Sequence, residues 1–196
     1  MRKGNVVKFF VVGLIFSALS ILSAVAVAEE AEQASTVKAV SLQNFEPKNG
    51  TEDEYFIDIW KSESDFATDI VHSGSRSLMT ETGDEWGGAI GIQPVSKDGY
   101  ADLSKAKKVS IWVYDTIGNN TIQLRLKDVE GNGGSGNDNN FLWSTKSTKK
   151  DAWTQIKWSL NKYPKVEDLD LTKISVLEIY LPKAGVYYLD DLELVE

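Results

Sequence analysis

The 196-residue sequence contains no cysteine and only one histidine, His72. The lack of cysteine excludes disulfides, thiol catalysis and thiolate metal sites. A Ser-His-Asp nucleophile system would have to use His72, and a zinc site built from several histidines is impossible. Helical spacing is missing as well, because no window beyond residue 40 sustains the apolar period of an amphipathic helix. The remaining signals are those of strands, acidic groups and aromatic rings.

The N-terminal segment carries the one long apolar run of the sequence. Arg2, Lys3 and Lys8 come before or at its start, and it ends in Ala26-Val27-Ala28 ahead of two glutamates. A basic start, an apolar middle and a small-residue exit predict a signal peptide over residues 1–28. An uncleaved anchor is the alternative, since the run is almost long enough to cross a bilayer of about 30 Å. We therefore expect a secreted, periplasmic or cell-surface protein that has no membrane association after cleavage.

After the signal segment we expect a polar leader over residues 29–39 and one domain over residues 40–196. The formal charge of the chain is −8, and it becomes −11 without residues 1–28, which hold three basic and no acidic side chains. Binding to nucleic acid depends on cationic groups that neutralise phosphates, so the charge argues against a nucleic-acid partner. It is compatible with neutral glycans and with cations.

Short apolar bursts with a period of two fill the domain, separated by clusters of Gly, Asn, Asp and Lys. This pattern predicts an all-β protein of about ten strands folded as a two-sheet β-sandwich. The predicted strands span residues 40–45, 56–60, 77–81, 89–95, 109–114, 122–128, 141–145, 154–160, 175–181 and 187–195. A Gly- and Asn-rich stretch at residues 131–140 predicts a long loop.

Alternation also assigns faces to the side chains of each strand. In residues 109–114 the β-branched side chains share one face, so Trp112 lies on the other. In residues 122–128 the apolar set faces inward and leaves Gln123 and Arg125 outside. In residues 175–181 the same rule places Tyr180 on the outer face.

Aromatic rings on an outer sheet face can stack on the C–H surfaces of sugars, while amide, guanidinium and carboxylate groups bind the hydroxyls. The candidate contacts are Trp112, Gln123, Arg125, Trp143 and Tyr180. The alternative for each large ring is a place in the core or at a sheet edge. We expect that alternative to hold for Trp153 and Trp158.

Two acidic landmarks lie at opposite ends of the domain, Glu46 near its start and Asp190-Asp191 near its end. The first and last strands of a β-sandwich often lie side by side, so these acids could share a calcium ion with backbone carbonyls of residues 72–76. Separately, each acid could be a solvated surface group. A glycosidase would need two facing carboxylates, for which Glu85 and Glu178 are candidates, but no second element of a catalytic site accompanies them.

Seven short motifs occur in an order that resembles the galactose-binding-like β-jelly rolls of carbohydrate-binding modules, above all family 11 and its relatives. The motifs are NFE at 44–46, HSGSRSL at 72–78, WGG at 86–88, DLSK at 102–105, WTQI at 153–156, LTKI at 171–174 and YLDD at 188–191. The resemblance covers nearly the whole domain, from about residue 42 to residue 195.

The resemblance implies a jelly roll whose concave sheet binds a β-linked glucan and whose end strands hold a structural calcium. It places Glu46 and Asp190 at the metal, and Asp138, Trp143 and Tyr180 at the sugar. Asn44 replaces an aspartate of the family pattern, and Glu85 replaces an aromatic residue.

We expect a monomeric, non-catalytic protein that binds β-glucan or a related polysaccharide. One alternative is an adhesive β-sandwich of the cell envelope that binds protein, because one fold can host many functions. A small β-sandwich glycosidase is the other.

Overall fold

The structure is a computed structural model that describes residues 39–47, 56–83, 85–133, 141–164 and 168–196, with the backbone alone at Asp58. All of them belong to one compact unit, Val37–Glu196. The predicted signal peptide and almost all of the predicted leader lie outside the described residues, so both stay predictions. Within the described ranges, no helix has the length and apolar character needed to span a membrane.

The described residues form eleven β-strands and two short 3-10 helices, Leu160–Lys162 and Leu171–Lys173. The all-β prediction is confirmed. The strands are β1 Ala39–Gln43, β2 Phe56–Trp60, β3 Ser62–Ala67, β4 Ser77–Thr82, β5 Gly88–Ile92, β6 Lys108–Asp115, β7 Gln123–Asp128, β8 Leu142–Trp143, β9 Trp153–Ser159, β10 Ile174–Leu181 and β11 Gly185–Val195.

The strands make two antiparallel sheets. One sheet has five strands in the order β2-β5-β10-β7-β8, and the other has six, with β3-β4-β11-β6-β9 in line and β1 paired to the second half of β11. The long β11 pairs with β4 through its first half and with β1 through its second half. Its register with β6 shifts between Asp190 and Glu193, where Asp191 has a positive φ of 46°. The predicted two-sheet jelly roll is confirmed.

The core lies between the sheets and is built from the inward half of each alternating strand. Fully buried apolar side chains come from both sheets, among them Val109, Ile111, Val113, Ile156, Trp158, Ile90, Leu124, Leu126, Leu177 and Ile179. Because side chains alternate along a strand, Gln123, Arg125 and Tyr180 of the five-stranded sheet lie on its outer face. The core thus fixes which side chains are presented for binding.

Strand β3 was not predicted from the sequence. Its residues, Ser62–Ala67, are mostly polar, and all but the buried Ala67 are partly or fully exposed. Among them Phe66 packs against the core. Among the described strands it lies at the edge of the six-stranded sheet and pairs with β4 alone. Pairing by backbone hydrogen bonds needs no apolar face, so alternation of apolar residues does not indicate such a strand.

Candidate functional site

One row of side chains crosses the outer face of the five-stranded sheet. Trp143 pairs with Gln123, Gln123 with Tyr180, Tyr180 with Ala89, and Ala89 with Trp60. Directly opposed residues of antiparallel strands share a face. With strands about 4.8 Å apart, the four steps from β8 to β2 give a row roughly 19 Å long.

A cavity of about 530 Å³ opens over this row and is lined by Trp60, Gln123, Phe141, Trp143 and Tyr180. We call this surface the aromatic groove. Four of its five lining side chains are aromatic, and the fifth is an amide that can both donate and accept hydrogen bonds. The groove therefore combines the two kinds of group that bind a sugar ring.

The tryptophans of the groove are open to solvent. The side chain of Trp143 is 54% exposed and that of Trp60 is 39% exposed, whereas the core residue Trp158 is 1% exposed. Large rings in a folded protein are normally well covered, so the exposure of two on one surface makes that surface a candidate binding site. The ring of Trp60 is stacked with that of Tyr180 at a centroid distance of 6.1 Å.

A turn next to the groove is held against the end of β10. The hydroxyl of Tyr180 donates a hydrogen bond to the backbone carbonyl of Trp86. Gly87 has a φ of +83°, and a Cβ there would lie 1.8 Å from the carbonyl oxygen of Leu181. Only glycine fits that approach. The turn places Trp86, whose side chain is 67% exposed, beside Tyr180.

Charged groups lie below the aromatic groove on the same sheet face. The Nη1 atom of Arg125 is 3.4 Å from Oε1 of Glu178, and Nζ of Lys127 is 3.4 Å from Oε2. The side chains of Arg125 and Glu178 are only 8% and 5% exposed. The guanidinium of Arg125 is covered by the ring of Phe141, with 3.8 Å between its central carbon and the ring centroid.

Of the residues predicted to bind sugar, Gln123, Trp143 and Tyr180 line the groove, and Arg125 lies beneath it. Trp112 is not with them, because β6 belongs to the six-stranded sheet. Its indole is stacked on the His72 ring, with centroids 3.9 Å apart. Alternation indicates the face of a strand on which a residue lies, but not the sheet that the strand joins. Asp138 lies outside the described residues.

Sequence reasoning missed Trp60 and Phe141. Trp60 ends a predicted strand, and the register shift between Asp58 and Trp60 brings it onto the outer face opposite Ala89. A shift of register moves a side chain to the other face and is not visible in the apolar pattern. Phe141 directly follows the Gly- and Asn-rich stretch, and that position was a usable signal.

The acids Glu46 and Asp190 converge on the turn formed by residues 72–76. Glu46 accepts hydrogen bonds from the backbone N–H and the hydroxyl of Ser75, at 2.6 and 2.5 Å. Asp190 Oδ2 accepts the backbone N–H groups of His72 and Ser73, at 3.0 and 3.1 Å. The two carboxylates therefore tie the segment just after β1 and the middle of β11 to one turn.

These carboxylates differ in their electrostatics. Burial raises the pKa of Glu46, but hydrogen bonds from Ser75 and Arg76 outweigh it, and the net pKa is below its ordinary value. Asp190 is fully buried, and burial together with the neighbouring charge of Asp191 raises its pKa to about 6. No lysine or arginine among the described residues forms an ion pair with Asp190.

A calcium ion would stabilise the charge of a buried carboxylate that has no cationic partner. The donor set fits calcium in part. Glu46 and Asp190 supply hard oxygen ligands, but the described residues contain no group of three or more acidic or histidine side chains that could hold a metal. Calcium takes six to eight oxygens, so backbone carbonyls of the turn would have to complete the set. The calcium expectation stays a prediction.

A second cavity, of about 410 Å³, lies along the paired edges of β3 and β4. It is lined by Lys61, Ser62, Glu63, Glu81 and Gly83. Glu63 and Glu81 are directly opposed in the register, a like-charge pair that destabilises the strand contact. None of these lining residues carries an aromatic ring. The aromatic groove is therefore the better candidate for a binding site.

Comparison with protein-family models finds no match, and no curated protein matches either. Solved structures do match. A family 11 carbohydrate-binding module from Clostridium thermocellum, in complex with a β-1,3-1,4-mixed-linked tetrasaccharide, is 16% identical. It matches 82% of this chain and 97% of its own, with a TM-score of 0.56.

Two further structures from Clostridium thermocellum are similar. A family 30 carbohydrate-binding module of a cellulosomal cellulase is 13% identical over 81% of this chain and 97% of its own, with a TM-score of 0.54. A xylanase structure that contains a family 22 module, complexed with xylohexaose, is 17% identical over 82% of this chain and 28% of its own, with a TM-score of 0.53. The resemblance predicted from the sequence motifs is confirmed at the level of the fold, and the chain has the β-sandwich fold of carbohydrate-binding modules.

Proposed function

We propose that this chain is a secreted, non-catalytic protein that binds β-linked glucan or a related polysaccharide in the aromatic groove. The observation that carries the proposal is the row Trp143, Gln123, Tyr180 and Trp60 on one open sheet face. Rings stack on the C–H faces of successive sugars, and the amide between them binds hydroxyl groups. A row roughly 19 Å long suits an extended chain rather than a single sugar.

The similar structures support a polysaccharide as the ligand. One of them was solved with a mixed-linked glucan tetrasaccharide and another with xylohexaose. Both ligands are oligosaccharides of several units, which is what a long open groove accommodates. The choice of glucan over other β-linked chains belongs to the proposal and is tested by a panel of polymers.

The chemistry of the groove supports binding without catalysis. Glu178, the acid on this face that sequence reasoning considered for catalysis, has a side chain that is only 5% exposed and lies between Arg125 and Lys127. A general acid or nucleophile has to reach the glycosidic oxygen or the anomeric carbon, and a buried ion-paired carboxylate does neither. The proposal therefore gives the groove a binding role only.

Three further parts of the proposal come from the sequence. Asp138 would add a hydroxyl-binding carboxylate at the groove, from outside the described residues. Glu46 and Asp190 would hold a structural calcium ion. The signal peptide would export the protein, which would act as a monomer.

Affinity gel electrophoresis tests the proposal. The wild-type protein is run through gels that contain mixed-linkage β-glucan, xylan or mannan, and its mobility is compared with that in a gel without polymer. We expect retardation by β-glucan, and we expect Trp143→Ala to remove most of it while the melting temperature stays unchanged. Unchanged mobility on every polymer would contradict the proposal, and release of reducing sugar from any polymer would show catalysis instead.

A further inference from the structure

Arg125 is predicted from the sequence to contact the ligand, yet its environment separates it from the groove. The side chain is 8% exposed, and the guanidinium carbon lies 3.8 Å from the centroid of the Phe141 ring. Phe141 lines the groove whereas Arg125 does not. A sugar in the groove would therefore meet the ring of Phe141 and not the charge beneath it.

Arg125 is held from below by one ion pair. Its Nη1 atom is 3.4 Å from Oε1 of Glu178, whose Oε2 is 3.4 Å from Nζ of Lys127. Among the described residues, the buried Nε of Arg125 has no hydrogen-bond partner. The guanidinium is thus held by two contacts, one with the Glu178 carboxylate and one with the Phe141 ring.

Phe141 in turn meets the ring that lies at the middle of the row. The centroids of Phe141 and Tyr180 are 6.1 Å apart, with the rings inclined at 51°. The attraction between a cation and an aromatic ring is strongest where water is excluded, and the side chain of Arg125 is almost completely buried. Phe141 therefore contacts both the guanidinium of Arg125 and the ring of Tyr180.

We propose that Arg125 is a positioning residue that acts on the ligand through Phe141 and makes no direct contact with it. This inference rests on the proposed function. The Arg125 charge stays in the pair with Glu178, so among the described residues the sugar is recognised by rings and by the amide of Gln123. The ligand class is accordingly an uncharged polysaccharide, and its affinity does not fall with added salt, as it would for a charged polymer bound by a cationic side chain.

A double-mutant cycle separates positioning from contact. Arg125→Lys keeps a positive charge for Glu178, which protects the fold, but loses the planar group that stacks on the ring. Phe141→Leu removes the ring itself. The affinity of wild type, both single variants and the double variant for the polymer that retards the wild type is measured by calorimetry at low and high salt, with melting temperatures as the control for folding.

We expect each single variant to bind about tenfold more weakly, the scale of one desolvated cation–π contact. The double variant should also be about tenfold weaker, because both changes remove the same wall. Effects that multiply to roughly a hundredfold, wild-type affinity in Arg125→Lys, or affinity that falls with salt would each overturn the inference. In those cases the proposed function still stands.

A second readout does not need a ligand. In the wild-type protein, nuclear Overhauser contacts between the rings of Phe141 and Tyr180 should be present, and Arg125→Lys should weaken them. If the contacts persist at full strength in Arg125→Lys, Arg125 does not position Phe141. If the wild type binds no glycan but the contacts respond as expected, the proposed function fails while the positioning role stands.

Discussion

Trp60 and Tyr180 stack across the five-stranded sheet with their ring centroids 6.1 Å apart and their planes inclined by 16°. The two residues belong to strands β2 and β10, which do not pair with each other, since β5 lies between them. Ala89 of β5 is opposite both residues on the same face. The short alanine side chain leaves room above the sheet for the two rings to meet. The stack of Trp60 and Tyr180 therefore depends on the small size of Ala89.

Trp60→Ala should weaken polysaccharide binding about tenfold, near 1.4 kcal/mol, because it removes one end of the stacking row. The change in affinity is measured by calorimetry with the polymer that retards the wild type. Trp112→Ala is the matched control, since Trp112 lies on the opposite sheet against His72. Equal losses of affinity in the two variants would place binding somewhere other than the aromatic groove.

The periodicity of the sequence predicted the strand interiors well. Val109, Ile111 and Val113 alternate with polar and aromatic residues, and all three are fully buried as predicted. Burial of one face is a local property of each strand, so it is visible in the local pattern. Pairing between strands is a long-range property, and no local pattern shows that β6 and β7 belong to different sheets.

The composition of the groove was only partly predictable for the same reason. Gln123 and Tyr180 were assigned correctly to an outer face, and the register then makes them neighbours. The place of Trp60 in the groove depends on a register shift in β2, and the burial of Arg125 depends on the Phe141 ring that covers it. Neither feature is visible in the local sequence pattern. Contacts between residues far apart in sequence decide whether an outward side chain is available to a ligand.

Ala89→Leu should disrupt the stack of Trp60 and Tyr180 although neither aromatic residue is changed. The larger side chain would enter the space between Trp60 and Tyr180, and because Ala89 is 3% exposed it has little room to turn away. We expect a loss of stability of about 1–3 kcal/mol, typical of overpacking, and a loss of glycan affinity of at least tenfold. Urea unfolding and calorimetry measure the two effects. Full affinity in Ala89→Leu would mean that the stack of the two rings is not part of the binding surface.

Calcium should raise the melting temperature, and a chelator should lower it. An ion that binds only the folded state stabilises it by mass action, by about 2.7 kcal/mol when its concentration is 100 times the dissociation constant. Glu46→Ala and Asp190→Asn should each remove the response to calcium, because each deletes one of the two proposed carboxylate ligands at the turn. Asp191 also lies at the turn, but its carboxylate is hydrogen-bonded to the side chains of His72 and Ser73. Differential scanning calorimetry, with calcium and with chelator, measures the change in melting temperature.

The matched control for the calcium experiment is Glu63→Ala, which removes an exposed carboxylate from β3. It should respond to calcium as the wild type does. A wild-type melting curve that is the same with calcium and with chelator would rule out the structural ion, and the hydrogen bonds from the turn to Glu46 and Asp190 would then be sufficient to close the sandwich.

Asp128 should make the stability of the domain depend on pH. It ends β7, and its carboxylate accepts hydrogen bonds from the backbone N–H groups of Glu130, Asn132 and Asp170, at 2.9–3.2 Å. Burial raises the pKa of Asp128, but these bonds and one from the Asn132 side chain outweigh it and hold the pKa below the ordinary 3.8. A carboxyl whose pKa is lowered by folding stabilises the protein above its unfolded pKa, and this contribution is lost as the pH falls through the folded pKa.

Asp128→Asn should therefore cost about 1–3 kcal/mol at pH 7, because a charged acceptor of several N–H groups is replaced by a neutral one. The difference from wild type should shrink as the pH falls below 3.8, because the carboxyl takes up a proton there in the unfolded chain and, at a lower pH, in the folded protein as well. Urea unfolding at pH 7, 5 and 3 measures the difference, with the exposed Asp98→Asn as the matched control. If the free energies of unfolding of wild type and Asp128→Asn differ by the same amount at all three pH values, the carboxylate charge does not hold the end of β7 to its neighbouring turns.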